Sequence, residues 1–235
     1  MIIFSLIICF IKLLKAIHIN SFMLEFELQN KKQIALIQLL KSNNTIIDLP
    51  AIIKSLSLSQ KKHSLQCFQT INPDLISGKQ HLQQAINETL CAFERKSNYS
   101  DNFNLELLVR LNANRRINNA LTSFGLKENS KTVLLIGVAS ASEKNNLKKA
   151  FDEFKKTFDL IESNKTDNEN KKFFNENAKQ NLKLIKEHFS INENELKNNS
   201  LEDLVCEKIA LLELRDWICT QISKKEPQQQ DLEII

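Results

Sequence analysis

Apolar and polar residues alternate with period two from Met23 onward, with Leu24, Phe26 and Leu28 on one side, so the pattern predicts a first strand there. Residues 33–41 are a short apolar run between polar neighbours, which suits a strand buried on both faces, with a helical turn as the alternative. Asp48 ahead of Pro50 supplies a capping carboxylate and a first-turn proline. Ile52, Ile53 and Leu56 then recur at helical spacing, and a short helix is expected. Residues 65–71 read as another strand, stopped by Asn72-Pro73 because proline has no amide donor. From residue 79 to 93, Leu82, Ala85, Ile86, Leu90 and Phe93 form one continuous helical stripe.

Beyond residue 100 the pattern changes twice. Phe103, Leu105, Leu107, Val109 and Leu111 alternate with Asn104, Glu106, Leu108 and Arg110, which predicts a strand. Ile117, Ala120, Leu121 and Phe124 then predict a helix, with Asn112 or Asn114 as its cap and Gly125 as a left-handed stop. Residues 132–138 are a central apolar strand, so 103–138 reads as a strand, helix, strand unit. Lys, Asn and Glu dominate residues 143–199, with helical fragments around Leu147, Phe151, Phe154 and Phe158 and again at Leu182, Leu184, Ile185 and Phe189. Between those fragments, 163–177 has the composition of a mobile insertion. Ser200 and Asp203 form a capping box that opens a helix through Trp217, whose apolar positions cover more than one face.

The expected fold class is α+β: a central, mostly antiparallel sheet flanked by helices, in a single domain over 23–217 with a helical Asn/Lys-rich insertion near 160–180. Residues 218–235 read as a polar tail and 1–22 as an apolar extension. The run 1–11 superficially resembles a signal peptide. It has no positive charge ahead of it, no small-x-small site after it, and falls short of the roughly 18–20 residues that span a bilayer. A membrane-associated or secreted protein using this segment is the alternative reading.

Candidate chemistry is sparse. The three glycines Gly78, Gly125 and Gly137 are isolated, so no glycine-rich loop cradles a phosphate. His18, His63, His81 and His188 lack metal-ligand spacing, and five dispersed cysteines without a CxxC pair suggest a reducing compartment. No nucleophile elbow, HExxH helix or kinase signature occurs, so a non-enzyme with no cofactor, metal or small-molecule substrate is expected. The net charge of +4 is mild, yet residues 110–131 hold five basic residues against Glu128 alone, a local +4. Arg110, Arg115, Arg116, Asn118, Lys127 and Lys131 are the candidate RNA contacts, with ordinary solvated charge as the competing role, and Arg115 and Arg116 lie near a helix start that also favours anions.

The segment LNANRRINNALTSFGLKENSKTVLLIGV, residues 111–138, resembles the TPRKB family, the kinase-binding subunit of the KEOPS complex. The matching positions are Ile117, Ala120, Phe124 and Gly125, then Ser130 and the strand from Val133. Upstream, INPDLISGKQHLQQAINETL, residues 71–90, matches in order through Ile71, Asn72 and Pro73, and residues 204–216 resemble the family's terminal helix. Residues 1–22 have no family counterpart, and the Asn/Lys-rich insertion before the last helix is longer than the family's. The resemblance implies a non-catalytic protein of nucleus and cytoplasm that docks on a PRPK-type kinase and helps hold tRNA for threonylcarbamoyladenosine formation. The family's docking surface is helical, so Ile86, Leu90, Phe93, Leu204, Val205, Ile209 and Leu212 are the candidate kinase contacts, with core packing as the competing role.

Overall fold

Strand β2 (Lys31–Ser42) organises the sheet. One edge pairs antiparallel with β4 (Thr132–Ser140), and β3 (Cys67–Ile71) continues beyond β4, also antiparallel. Its other edge is shared end to end by β1 (Phe22–Leu28) and the short β5 (Leu160–Glu162). The order is thus β1-β2-β4-β3, with β5 against β2. The computed structural model describes residues 22–28, 31–42, 48–128, 130–162 and 167–223. The segments 1–21 and 224–235 lie outside the described residues, whereas residues 218–223, expected to open the polar tail, belong to the last helix. Phe22, read as part of the apolar extension, opens β1.

The strand pleat sends alternate residues to two cores. Ala35, Ile37 and Leu39 of β2 join Leu134, Ile136 and Val138 of β4 in the larger one. This face is covered by α2 (Lys79–Arg95), α3 (Phe103–Leu111), α4 (Ile117–Phe124), α6 (Asp167–Gln180), α7 (Leu182–Phe189) and α8 (Leu201–Ser223). Ile34, Leu36 and Leu40 join Val133, Leu135 and Ala139 in the smaller core, covered by α1 (Leu49–Lys62) and α5 (Lys144–Thr157). The whole is an α+β domain. Among the described residues no helix is long and apolar enough to cross a membrane.

Local chemistry accounts for most element boundaries. Asp48 Oδ1 accepts the Ala51 N–H at 2.8 Å to start α1, and Ser200 Oγ accepts the Asp203 N–H at 3.1 Å to start α8. Gly137 lies under α5, where a Cβ would stand 2.5 Å from Leu147 Cδ1 and 2.7 Å from Phe151 Cε2. Gly137→Ala is expected to cost about 1–3 kcal/mol through overpacking, measured as a shift of the urea midpoint at unchanged slope.

Three expectations are corrected. Residues 103–111 form helix α3, so the unit over 103–138 runs helix, helix, strand. Asn102 Oδ1 caps it by accepting the N–H groups of Asn104 and Leu105, and Glu106 and Arg110 pair at the i, i+4 spacing that only a helix brings together. The segment is buried nearly all round, so it has no amphipathic stripe to reveal its period. Gly125 has φ −60° and ψ 150°, an extended rather than left-handed stop. A Cβ there would lie 2.2 Å from the Leu121 carbonyl oxygen, which takes the Gly125 N–H at 2.8 Å, so close approach explains the glycine. Finally, the segment read as a mobile insertion contains helix α6. Phe174 meets Phe22 edge-on at 5.7 Å, and Asn177 Nδ2 donates to the carbonyls of Pro73 and Ile76 at 3.0 and 3.1 Å.

Candidate nucleic-acid and partner interface

The turn between α3 and α4 sorts its arginines by burial. Arg110 is 1% exposed, and its Nε donates to Glu106 Oε1 at 2.8 Å, with its Cζ 4.9 Å from the Tyr99 ring centroid. Glu106 Oε2 also accepts the backbone N–H groups of Tyr99 and Ser100, at 2.8 and 3.0 Å. Arg110 therefore ties the turn to the core and offers nothing to an RNA chain. Arg115, Arg116 and Asn118 are exposed just beyond it, with Arg115 Cζ 5.8 Å from the same tyrosine ring.

Lys127 and Lys131 are exposed too, but they follow the opposite end of α4. An eight-residue helix rises about 12 Å, so the predicted basic corner is two separate pairs bridged by one helix. Beside α4 lies a polar hollow of about 530 Å³ whose wall includes Asn114, Asn119, Thr122, His188 and Lys208. His188 Nε2 donates to Asn112 Oδ1 at 2.8 Å, and partial burial lowers its pKa, which favours the neutral ring. Lys208, on α8, is not grouped with these residues by the sequence because it lies more than 90 residues from the turn it joins.

Six of the seven candidate kinase contacts are core residues. Ile86 and Leu90 of α2 and Leu204, Val205, Ile209 and Leu212 of α8 are all buried in the larger core. Phe93 is half-buried and stacks on Phe103 with centroids 5.1 Å apart. These side chains pack the two helices onto the sheet, the competing role weighed above. A polar contact reinforces the packing: the Glu202 carboxylate of α8 accepts the Gln80 N–H at the start of α2, filling the space a Cβ on Gly78 would take. Burial raises the Glu202 pKa, partly offset by hydrogen bonds from the backbone N–H groups of Gln80 and His81.

The same region holds the fully buried His81. Its Nε2 donates to the Leu111 carbonyl at 3.0 Å, and its Nδ1 accepts the Ser77 N–H at 3.3 Å, which fixes a neutral tautomer. The ring meets Phe124 and Phe189 edge-on. Burial brings its pKa down to about 4. Its role is to join α2 to the end of α3. Among the described residues no group of three His, Cys, Asp or Glu is arranged to hold a metal ion.

The family described as kinase binding protein CGI-121 matches residues 28–213. The chain belongs to the CGI-121 family. That match runs from the end of β1 to the residue after Leu212 on α8, so it takes in β2 to β5 and the α2–α8 pairing. It bears out the family resemblance carried by residues 71–90 and 111–138, and it makes the chain a member of a kinase-binding family. No curated protein matches the chain.

Proposed function

We propose that this CGI-121 family protein is the non-catalytic, kinase-binding subunit of a KEOPS-like complex. It docks on a PRPK-type kinase and contacts tRNA, supporting threonylcarbamoyladenosine formation in nucleus and cytoplasm. The observation that carries the reading is the family match over 28–213. Helix α8 suggests how docking is achieved. Its first turns are held to the core by Leu204, Val205, Ile209 and Leu212, yet the helix runs on to Ser223 and its sequence keeps apolar residues at Leu214, Trp217 and Ile218. Apolar side chains of a helix that meet a partner gain stability when that partner excludes water from them. The test is co-expression with the PRPK-type kinase, and failure of the two to co-purify would remove the reading.

For tRNA, Arg115, Arg116 and Asn118 at the start of α4 supply charge and hydrogen bonds to phosphates, and the adjoining hollow supplies Asn119, Thr122 and Lys208. Lys127 and Lys131 extend the contact along the backbone. Replacing Arg115 and Arg116 together by alanine should weaken tRNA binding and lower the slope of log K against log salt by about 2, with the melting temperature unchanged. An unchanged slope would place the RNA elsewhere.

A further inference from the structure

The face of the sheet opposite α2 and α8 carries a second surface that the kinase and tRNA readings leave unused. Helices α1 and α5 together hold eight lysines against Asp152 and Glu153, a net of +6 that exceeds the +4 of the entire chain. Between the two helices runs an open groove of about 550 Å³. Phe154 of α5 and Phe158 just beyond its end line it, and from α1 comes Leu58, which is 59% exposed. The groove follows α1 from Ala51 to Lys62, about 16 Å or three helical turns.

Lys54 and Lys62 line this strip, and Lys61, Lys149 and Lys156 lie on the same two helices. Lys54, Lys61, Lys149 and Lys156 are exposed and have no carboxylate partner among the described residues. Lys155 pairs with Asp152 at 3.0 Å, and Lys62 donates to Glu153, which also meets His63 Nε2 at 3.0 Å and so clamps α1 to α5 at one end of the groove. Those contacts hold the Glu153 carboxyl below its usual pKa, His63 first and Lys62 second.

We propose that the α1–α5 groove is the docking site for an acidic amphipathic helix of a partner protein, its apolar stripe on Leu58 and Phe158 and its carboxylates against the lysines of the two helices. Charge complementarity selects this occupant. A second copy of the chain would set one lysine-rich face against another. The segment 1–21 contains lysines and no acidic residue. A nucleic-acid backbone would use the lysines but gain nothing from an apolar floor. The site stands independently of the kinase reading, because it lies across the sheet from α2 and α8.

The experiment is display selection of helix-length random peptides on the full chain, in parallel with Leu58→Asp. Enriched peptides should carry apolar residues at i, i+3 or i+4 and i+7 with a net negative charge. Binding of the best peptide should fall about tenfold or more for Leu58→Asp and for the Lys54→Glu/Lys149→Glu pair, with melting temperatures unchanged because all three side chains are exposed. Neutral or basic consensus peptides, or binding indifferent to Leu58→Asp, would overturn the proposal. So would lysine reversal that lowers tRNA affinity while no peptide is enriched, which makes the occupant RNA. Enrichment that appears only once residues 224–235 are removed would assign the groove to the chain's own acidic end.

Discussion

Glu106→Ala should destabilise the protein by about 3–5 kcal/mol, a large share of the roughly 5–15 kcal/mol that holds a domain of this size folded. The carboxylate and its partner Arg110 are both essentially inaccessible, at 0% and 1% exposure, so neither is screened by solvent. Removing the carboxylate withdraws the acceptor for the Arg110 Nε and for the backbone N–H groups of Tyr99 and Ser100. A guanidinium is then left buried beside an alanine, which costs more than the pair itself was worth. The companion Arg110→Met, made on top of Glu106→Ala, should recover much of the loss, since an apolar side chain of similar length needs no counter-charge. Urea midpoints of wild type, single and double variants measure both. A single variant as stable as wild type would mean that the pair is not buried as described.

Acid should unfold the protein earlier than surface carboxylates alone would require, and His81 is the reason. In the unfolded chain its pKa is near 6.5; in the fold, burial among Phe124, Phe189 and the α2 backbone lowers it to about 4. The folded pKa is the lower one, so between these values the unfolded state holds a proton that the folded state refuses. Stability therefore falls as pH drops from above 6.5 towards 4 and is level above that window. The contribution of this one ring is about 3 kcal/mol at the acid end. His188, whose pKa is also lowered by burial, acts in the same direction. His81→Gln should be less stable at neutral pH, having lost the Leu111 hydrogen bond, but should show a shallower decline from pH 7 to 5. Parallel declines for wild type and variant would assign the acid sensitivity elsewhere.

Strands β1 to β4 were legible because a sheet edge or core leaves period-two alternation or a bare apolar run, and because Asn72-Pro73 punctuates β3. The helix α2 was legible by its stripe. Helix α3 was not, because Leu107, Leu108, Val109 and Leu111 are buried alongside Glu106 and Arg110, and a helix with no solvent face has no period to detect. The pairing of that glutamate with that arginine was the signal available. Interface residues were less legible still: an apolar stripe looks the same whether it meets a core or a partner, and only burial assigns Ile86 and Leu204 to the core. Charge summed along the sequence drew attention to residues 110–131, where Arg110 proves internal. The stronger basic layer of α1 and α5 stayed hidden, since its two halves lie about 90 residues apart and meet only through contacts such as Lys62 with Glu153.

Calorimetric titration of a PRPK-type kinase subunit with the full chain, and in parallel with a chain ending at Leu212, addresses the central claim. The account predicts saturable one-to-one binding by the full chain and binding weakened about tenfold or more by loss of the second half of α8. Equal binding by the shortened chain would contradict the role given to α8. Heats no larger than dilution from the full chain would contradict kinase docking itself.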